Sequence, residues 1–158
     1  MMTFSIDALT SWASENRTFI FLLLFIMYKV YEKTFPTPFP ETGGNVSAIH
    51  EQSEWEELMK KDGLALVDFY ATWCPPCRAA APVVGQWSLQ YPSVSFAKVD
   101  VDQCRRIAQE QKITGMPTFK LFENGKKIDE VIGFDRTKIA AMLDRKAGPA
   151  PAATSKTA

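Results

Sequence analysis

Residues 71–77 read ATWCPPC, which sets Cys74 and Cys77 three positions apart, with Trp73 ahead of them and Pro75 and Pro76 between. Two thiols at this spacing suit a metal clip, a structural crosslink or a reversible disulfide. A zinc site needs four ligands, and beyond the pair the only other cysteine and histidine are Cys104 and His50, which form no second ligand pair. Three cysteines are also too few for a disulfide-stapled scaffold, and pairing two leaves one over. These counts favour local, reversible cysteine chemistry.

The elements on either side sharpen that reading. LALVDFY, residues 64–70, is a nearly continuous apolar run suited to a strand buried on both faces. A helical pattern follows from about Pro76 to Gln90, interrupted by Pro82, which removes a backbone donor and should kink the helix. The pair therefore falls at the mouth of a helix, where unpaired N–H groups and the helix dipole favour an anion. A thiolate at Cys74 is stabilised there and can attack a disulfide sulfur. Cys77, one turn along and deeper, can then attack Cys74 and resolve the mixed disulfide. Neither Pro75 nor Pro76 carries an N–H, so donors to the Cys74 sulfur must come from Cys77 or beyond. Because Pro75 itself precedes a proline, the helix is expected to start at Pro76. The loop should be stiff, with a redox potential different from that of a Gly-Pro version.

Other residues have two readings each. Asp68, six residues before Cys74 in the apolar strand, is either a carboxyl whose pKa burial raises towards proton-transfer range or an aspartate bonding loop backbone. Trp73 either packs as a core aromatic or walls the sulfur site and contacts substrates. Pro117, after Met116 in TGMPTF, reads as a trans proline opening a strand, since only about 5% of X-Pro bonds are cis. Cys104 reads as a small buried hydrophobe, with an oxidation-sensitive regulatory thiol as the alternative, and His50 as a surface or edge residue.

Beyond the site, strand and helix patterns alternate. SEWEELMKK has Ser53 three before Glu56, a capping-box spacing, and sets Trp55, Leu58 and Met59 on one helical face. SVSFAKVDV is strand-like, QCRRIAQEQ helical, and TFKLFENGKKIDEVIGF two strands joined through Asn124-Gly125. A last helix spans about Thr137 to Lys146. The order implies an α/β fold with a mixed central sheet flanked by helices. Charge is balanced at 18 basic and 18 acidic residues, so no nucleic-acid partner is indicated.

Residues 1–33 form a separate N-terminal segment. Phe19 to Tyr28 is uninterrupted apolar or aromatic sequence ended by Lys29, and residues 18–31 are read as an uncleaved membrane anchor helix. Asp7 and Glu15 speak against a signal peptide or a presequence. One arginine before the run against Lys29 and Lys33 after it orients the C-terminal domain to the cytosol; a soluble cytoplasmic or mitochondrial protein is the alternative. Residues 34–45, rich in proline and glycine, read as an extended spacer, 46–146 as the folded domain, and 147–158 as a disordered tail.

LVDFYATWCPPC, Pro82 five beyond the second cysteine, AKVDVDQ, ITGMPTFKLFENGK and IGF, in that order, resemble the thioredoxin family over roughly residues 46–146. The resemblance implies a four- or five-stranded thioredoxin fold, with Cys74 as attacking and Cys77 as resolving thiol. It implies that Asp68 is the buried proton-transfer carboxylate with Lys98 as its neighbour. Trp73, Met116 and a cis Pro117 would form the substrate-contacting surface, with Pro75 and Pro76 on it. The family usually has glycine where this chain has Pro75. The implied activity is reduction of disulfide-containing protein substrates without a bound cofactor, with electrons from an NADPH-dependent thioredoxin reductase. A tethered binding module without turnover is one alternative. A secretory oxidase or isomerase is another, disfavoured because Pro76 stands where isomerases typically have histidine and SKTA is no retention signal.

Overall fold

The computed structural model describes residues 16–34, 38–40 and 42–149. They divide into two compact units, with the boundary in the chain after Pro38.

In the first unit, helix α1 runs Arg17–Thr34. Its side chains from Phe21 to Tyr28 are exposed in unbroken succession, and Lys29 lies 6.0 Å from the Phe25 ring centroid and 5.7 Å from that of Tyr28. The expected spanning anchor is not supported: no described helix is long and apolar enough to cross a membrane. The helix forms, but Arg17, Lys29, Glu32 and Lys33 all fall within it. Its uninterrupted apolar stretch, Phe19–Tyr28, is only about 15 Å of helix against a hydrocarbon core of about 30 Å. The cytosolic orientation built on that anchor loses its basis.

The second unit holds β1 (Val46–Ile49), α2 (Gln52–Lys60), β2 (Leu64–Tyr70), α3 (Pro75–Gln90), β3 (Val94–Asp100), α4 (Arg105–Glu110), β4 (Thr118–Glu123), β5 (Lys126–Ile132) and α5 (Arg136–Ala147). The sheet order is β1-β3-β2-β4-β5. β3 pairs parallel with β1 and β2, and β4 antiparallel with β2 and β5. β2 is thus central, which accounts for its continuous burial.

Alternation along the strands sorts the core onto two faces. Leu66, Phe96, Phe119 and Leu121 pack with Ala80, Val84 and Trp87 of α3 and with Ile139, Met142 and Leu143 of α5. Val67, Phe69, Ala97 and Val99 pack with Trp55 and Leu58 of α2 and with Ile107 of α4. By the same alternation Asp68 points to the α3 side.

Two local expectations shift. α2 is capped at Glu51, with the Glu54 carboxylate accepting from the His50 and Glu51 N–H groups at 2.6 and 3.4 Å; Ser53 lies inside the helix and donates to Glu51 at 2.6 Å. α3 begins at Pro75, one residue before the expected start, with Cys74 as its N-cap in extended geometry. The preference against helical geometry before a proline is local, and a packed 16-residue helix overrides it. Pro82 is exposed and α3 continues through it. Phe39 and Thr42, expected as spacer, pack onto the domain. Residues 150–158 of the expected tail and residues 1–15 lie outside the described residues.

Candidate active site

The turn between β2 and α3 carries the cysteines. The Cys74 N–H donates to the Ala71 carbonyl at 3.2 Å, and the Arg78 N–H to the Cys74 carbonyl at 3.1 Å, which opens the helix at the pair. Cys74 and Cys77 are disulfide-bonded, their Cα atoms 5.3 Å apart. Cys74 is 4% exposed and Cys77 0%, so an incoming reactant reaches Cys74 first. Pro75 and Pro76 occupy the first two helical positions and are exposed. Proline suits this place because a first-turn N–H would have no helical partner.

Asp68 is 2% exposed, and its Oδ1 has no hydrogen-bond partner among the described residues. Burial pushes its pKa up to about 7, opposed by the charge of Lys98. Lys98 is the cross-strand partner of Asp68 on β3. Its ammonium lies 5.9 Å from the centroids of both Tyr70 and Phe39. A carboxyl that exchanges its proton near neutrality can take up or give one proton at physiological pH.

Trp73 is 64% exposed, which rules out packing as a core aromatic. Its indole N–H donates to Asp102 Oδ2 at 2.7 Å, and the Asp102 N–H donates to Asp100 Oδ1 at 2.9 Å. Met116 packs, partly buried, against Ala71, Cys74 and Cys77. The Met116-Pro117 peptide bond is cis, the geometry the family resemblance implied and not the trans form expected from the local sequence. Thr118 Oγ1 donates to the Gly115 carbonyl at 2.7 Å, and the Gly133 N–H to the Pro117 carbonyl at 2.7 Å, which ties this loop to β4 and β5.

The third cysteine lies elsewhere: Cys104 is buried among the α2 and α4 side chains, its thiol donating to the Ile49 carbonyl at 3.3 Å. Burial raises its pKa, so it is a protonated core thiol. His50 is exposed.

The thioredoxin family pattern matches residues 46–145 of the 158, well over half of the sequence. The chain belongs to the thioredoxin family. It is 43% identical over 98 residues to thioredoxin-1 of Schizosaccharomyces pombe, covering 62% of this chain and 95% of the relative. It is 44% identical over 98 residues to thioredoxin-2 of Pyricularia oryzae, where the match spans 62% of this chain but 57% of that protein. The solved structure of a Nicotiana alata thioredoxin superposes with a TM-score of 0.64 at 33% identity, over 66% of this chain and 95% of the other. With its Cys74–Cys77 pair, this member of the family is a thiol-disulfide oxidoreductase that acts as a protein-disulfide reductase.

Two residues at the site escaped the sequence reading. Asp102 lay within the AKVDVDQ stretch, but nothing in its spacing revealed the Trp73 bond. Phe39 lay in a proline-rich stretch read as spacer, where only an aromatic set between prolines hinted at a packing role.

Proposed function

We propose that reduction proceeds with Cys74 as nucleophile and Cys77 as resolving thiol, and that Asp68 serves the second step as proton acceptor. The observation that carries this assignment is the order of burial: Cys74 retains 4% exposure at the helix mouth, whereas Cys77 has none. In the dithiol form the Cys74 thiolate attacks one sulfur of the substrate disulfide. The substrate S–S bond breaks, and the departing thiolate takes a proton from solvent. The Cys77 thiol gives its proton to the Asp68 carboxylate, and the resulting thiolate attacks the Cys74 sulfur. The second substrate thiolate leaves, Cys74–Cys77 closes, and two electrons have passed to the substrate. Lys98 tempers the cost of charge on Asp68 during the step. Trp73, Pro75, Pro76, Met116 and Pro117 form the surface on which an extended peptide lies, with Trp73 held by Asp102.

An NADPH-dependent thioredoxin reductase returns the two electrons and regenerates the dithiol. Following NADPH oxidation in a coupled insulin-reduction assay checks the partner and the nucleophile together. The full chain should sustain turnover, and Cys74→Ser should abolish it. Turnover with dithiothreitol but none with the reductase would remove the partner assignment, and an active Cys74→Ser variant would remove the nucleophile.

A further inference from the structure

The residues just ahead of β1 lie outside the family match, which begins at residue 46, yet three contacts pin them to α3. At Gly85 the Thr42 carbonyl comes so near that a Cβ would sit 1.7 Å from its oxygen. At Gly44, φ +62, a Cβ would meet the Gly85 oxygen at 2.2 Å and Ser88 Oγ at 2.3 Å. Ser88 Oγ accepts from the Asn45 N–H at 2.8 Å while donating to the Gly85 carbonyl at 2.7 Å. Thr42 is buried. Glycine on both sides of the contact is what lets the two backbones approach so closely.

The pinned segment delivers Phe39 to the dithiol. The Phe39 ring stands 4.7 Å from that of Tyr70, centroid to centroid. The Arg78 guanidinium and the Lys98 ammonium each lie 5.9 Å from the Phe39 centroid. Phe39 packs with Tyr70, Val101 and Met116 around Ala71, Cys74 and Cys77. Tyr70 lies two residues along β2 from Asp68, on the same face, and Lys98 is the cross-strand partner of Asp68. Phe39 therefore stands beside both Tyr70 and Lys98, the same-face neighbour and the cross-strand partner of Asp68.

We propose that Thr42–Asn45 is a strap whose hold on α3 keeps Phe39 as a cover over the Tyr70–Lys98 edge, so that Phe39 is a positioning residue keeping water from Asp68. The role of Phe39 in turnover rests on the proton-accepting role proposed above for Asp68; the cover itself does not. The charged and titratable groups around the carboxyl among the described residues are Tyr70 on β2, Lys98 and Asp100 on β3, and Arg78 with the cysteine pair on α3. Removing the cover hydrates the carboxyl, which lowers its pKa, and frees Lys98, which weakens the opposing pull. Desolvation is the larger of the two causes, so the net movement is downward.

The test is a carbon-13 NMR titration of the Asp68 carboxyl in the oxidised full-length protein, comparing wild type with Phe39→Ala, Phe39→Leu and Gly85→Ala. Gly85→Ala lifts the strap without touching Phe39. The atoms nearest its new methyl belong to Thr42 and Gly43, and alanine favours the helix over glycine, so the fold persists. Phe39→Ala and Gly85→Ala should lower the midpoint by roughly half a pH unit or more, while Phe39→Leu should stay near wild type. An unchanged midpoint in both Phe39→Ala and Gly85→Ala overturns the strap. If the midpoint falls but Asp68→Asn reduces insulin with the wild-type pH profile, the proton role fails, and the role of Phe39 in turnover fails with it.

Discussion

An aspartate on the central strand, with one oxygen unpartnered, makes the fold oppose its own charge at neutral pH. Asp68 ionises at about 7 in the folded chain instead of at its usual 3.8, so folding favours its neutral form. The full stability is present below about pH 4, declines as pH rises, and the loss is complete once the folded carboxyl has ionised above about 7. A rise of that size in the pKa corresponds to roughly 4 kcal/mol at most. Asp68→Asn carries no such charge, so its stability should gain on wild type by up to that amount between pH 4 and pH 8, as read from urea midpoints. A gap that does not change with pH would mean that the carboxyl ionises normally. At this scale the sequence exposed the chemistry but left two readings of Asp68 open. Six residues from a cysteine fixes neither depth nor hydrogen bonding, and only the packed sheet shows the carboxyl buried with one oxygen unpartnered.

Helices and strands were legible wherever hydrophobic period and turn chemistry agreed. LALVDFY is β2 without adjustment, because a central strand needs apolar residues on both faces. The Asn124-Gly125 turn was equally plain, since φ is +51 and +74 at these residues and those two types adopt the left-handed region most readily. The turn also docks on its neighbours. Asn124 Oδ1 accepts from the Gly63 N–H at 2.8 Å, and a Cβ at Gly125 would sit 2.2 Å from the Met59 carbonyl oxygen. Gly125→Ala should therefore cost about 2 kcal/mol or more, combining left-handed strain with a backbone clash. The check is a lower urea midpoint with an unchanged slope, and a midpoint equal to wild type would mean that the turn is not held against α2. Element ends were less legible. The Ser53–Glu56 spacing matched a capping pattern, but the chain caps at Glu51, because Glu54 reaches the N–H groups of residues 50 and 51. The cis bond at Pro117 was beyond local reasoning, since its two neighbours suit either isomer and the surrounding loop selects one.

At the scale of the whole molecule, the residues that match the family make a mixed sheet with both faces covered by helices, the architecture that the strand and helix order implies. The N-terminal part diverged from it. Residues 18–31 form a helix, yet the charges within it leave too little apolar length for a span. Thr42–Asn45, in the stretch where composition alone suggests a spacer, sit against α3 because glycines at 44 and 85 let the two backbones approach. Composition reports what a segment can do in isolation, and here tertiary contact decides. The central claim for the whole chain is that the less deeply buried of two sulfurs attacks and the fully buried one releases. Its most direct measurement is to treat the Cys77→Ser full-length protein with an oxidised protein substrate and locate the trapped crosslink by mass spectrometry. The expected result is a mixed disulfide through Cys74, persisting until an external thiol is added. No adduct, or one formed through Cys104, would contradict the account.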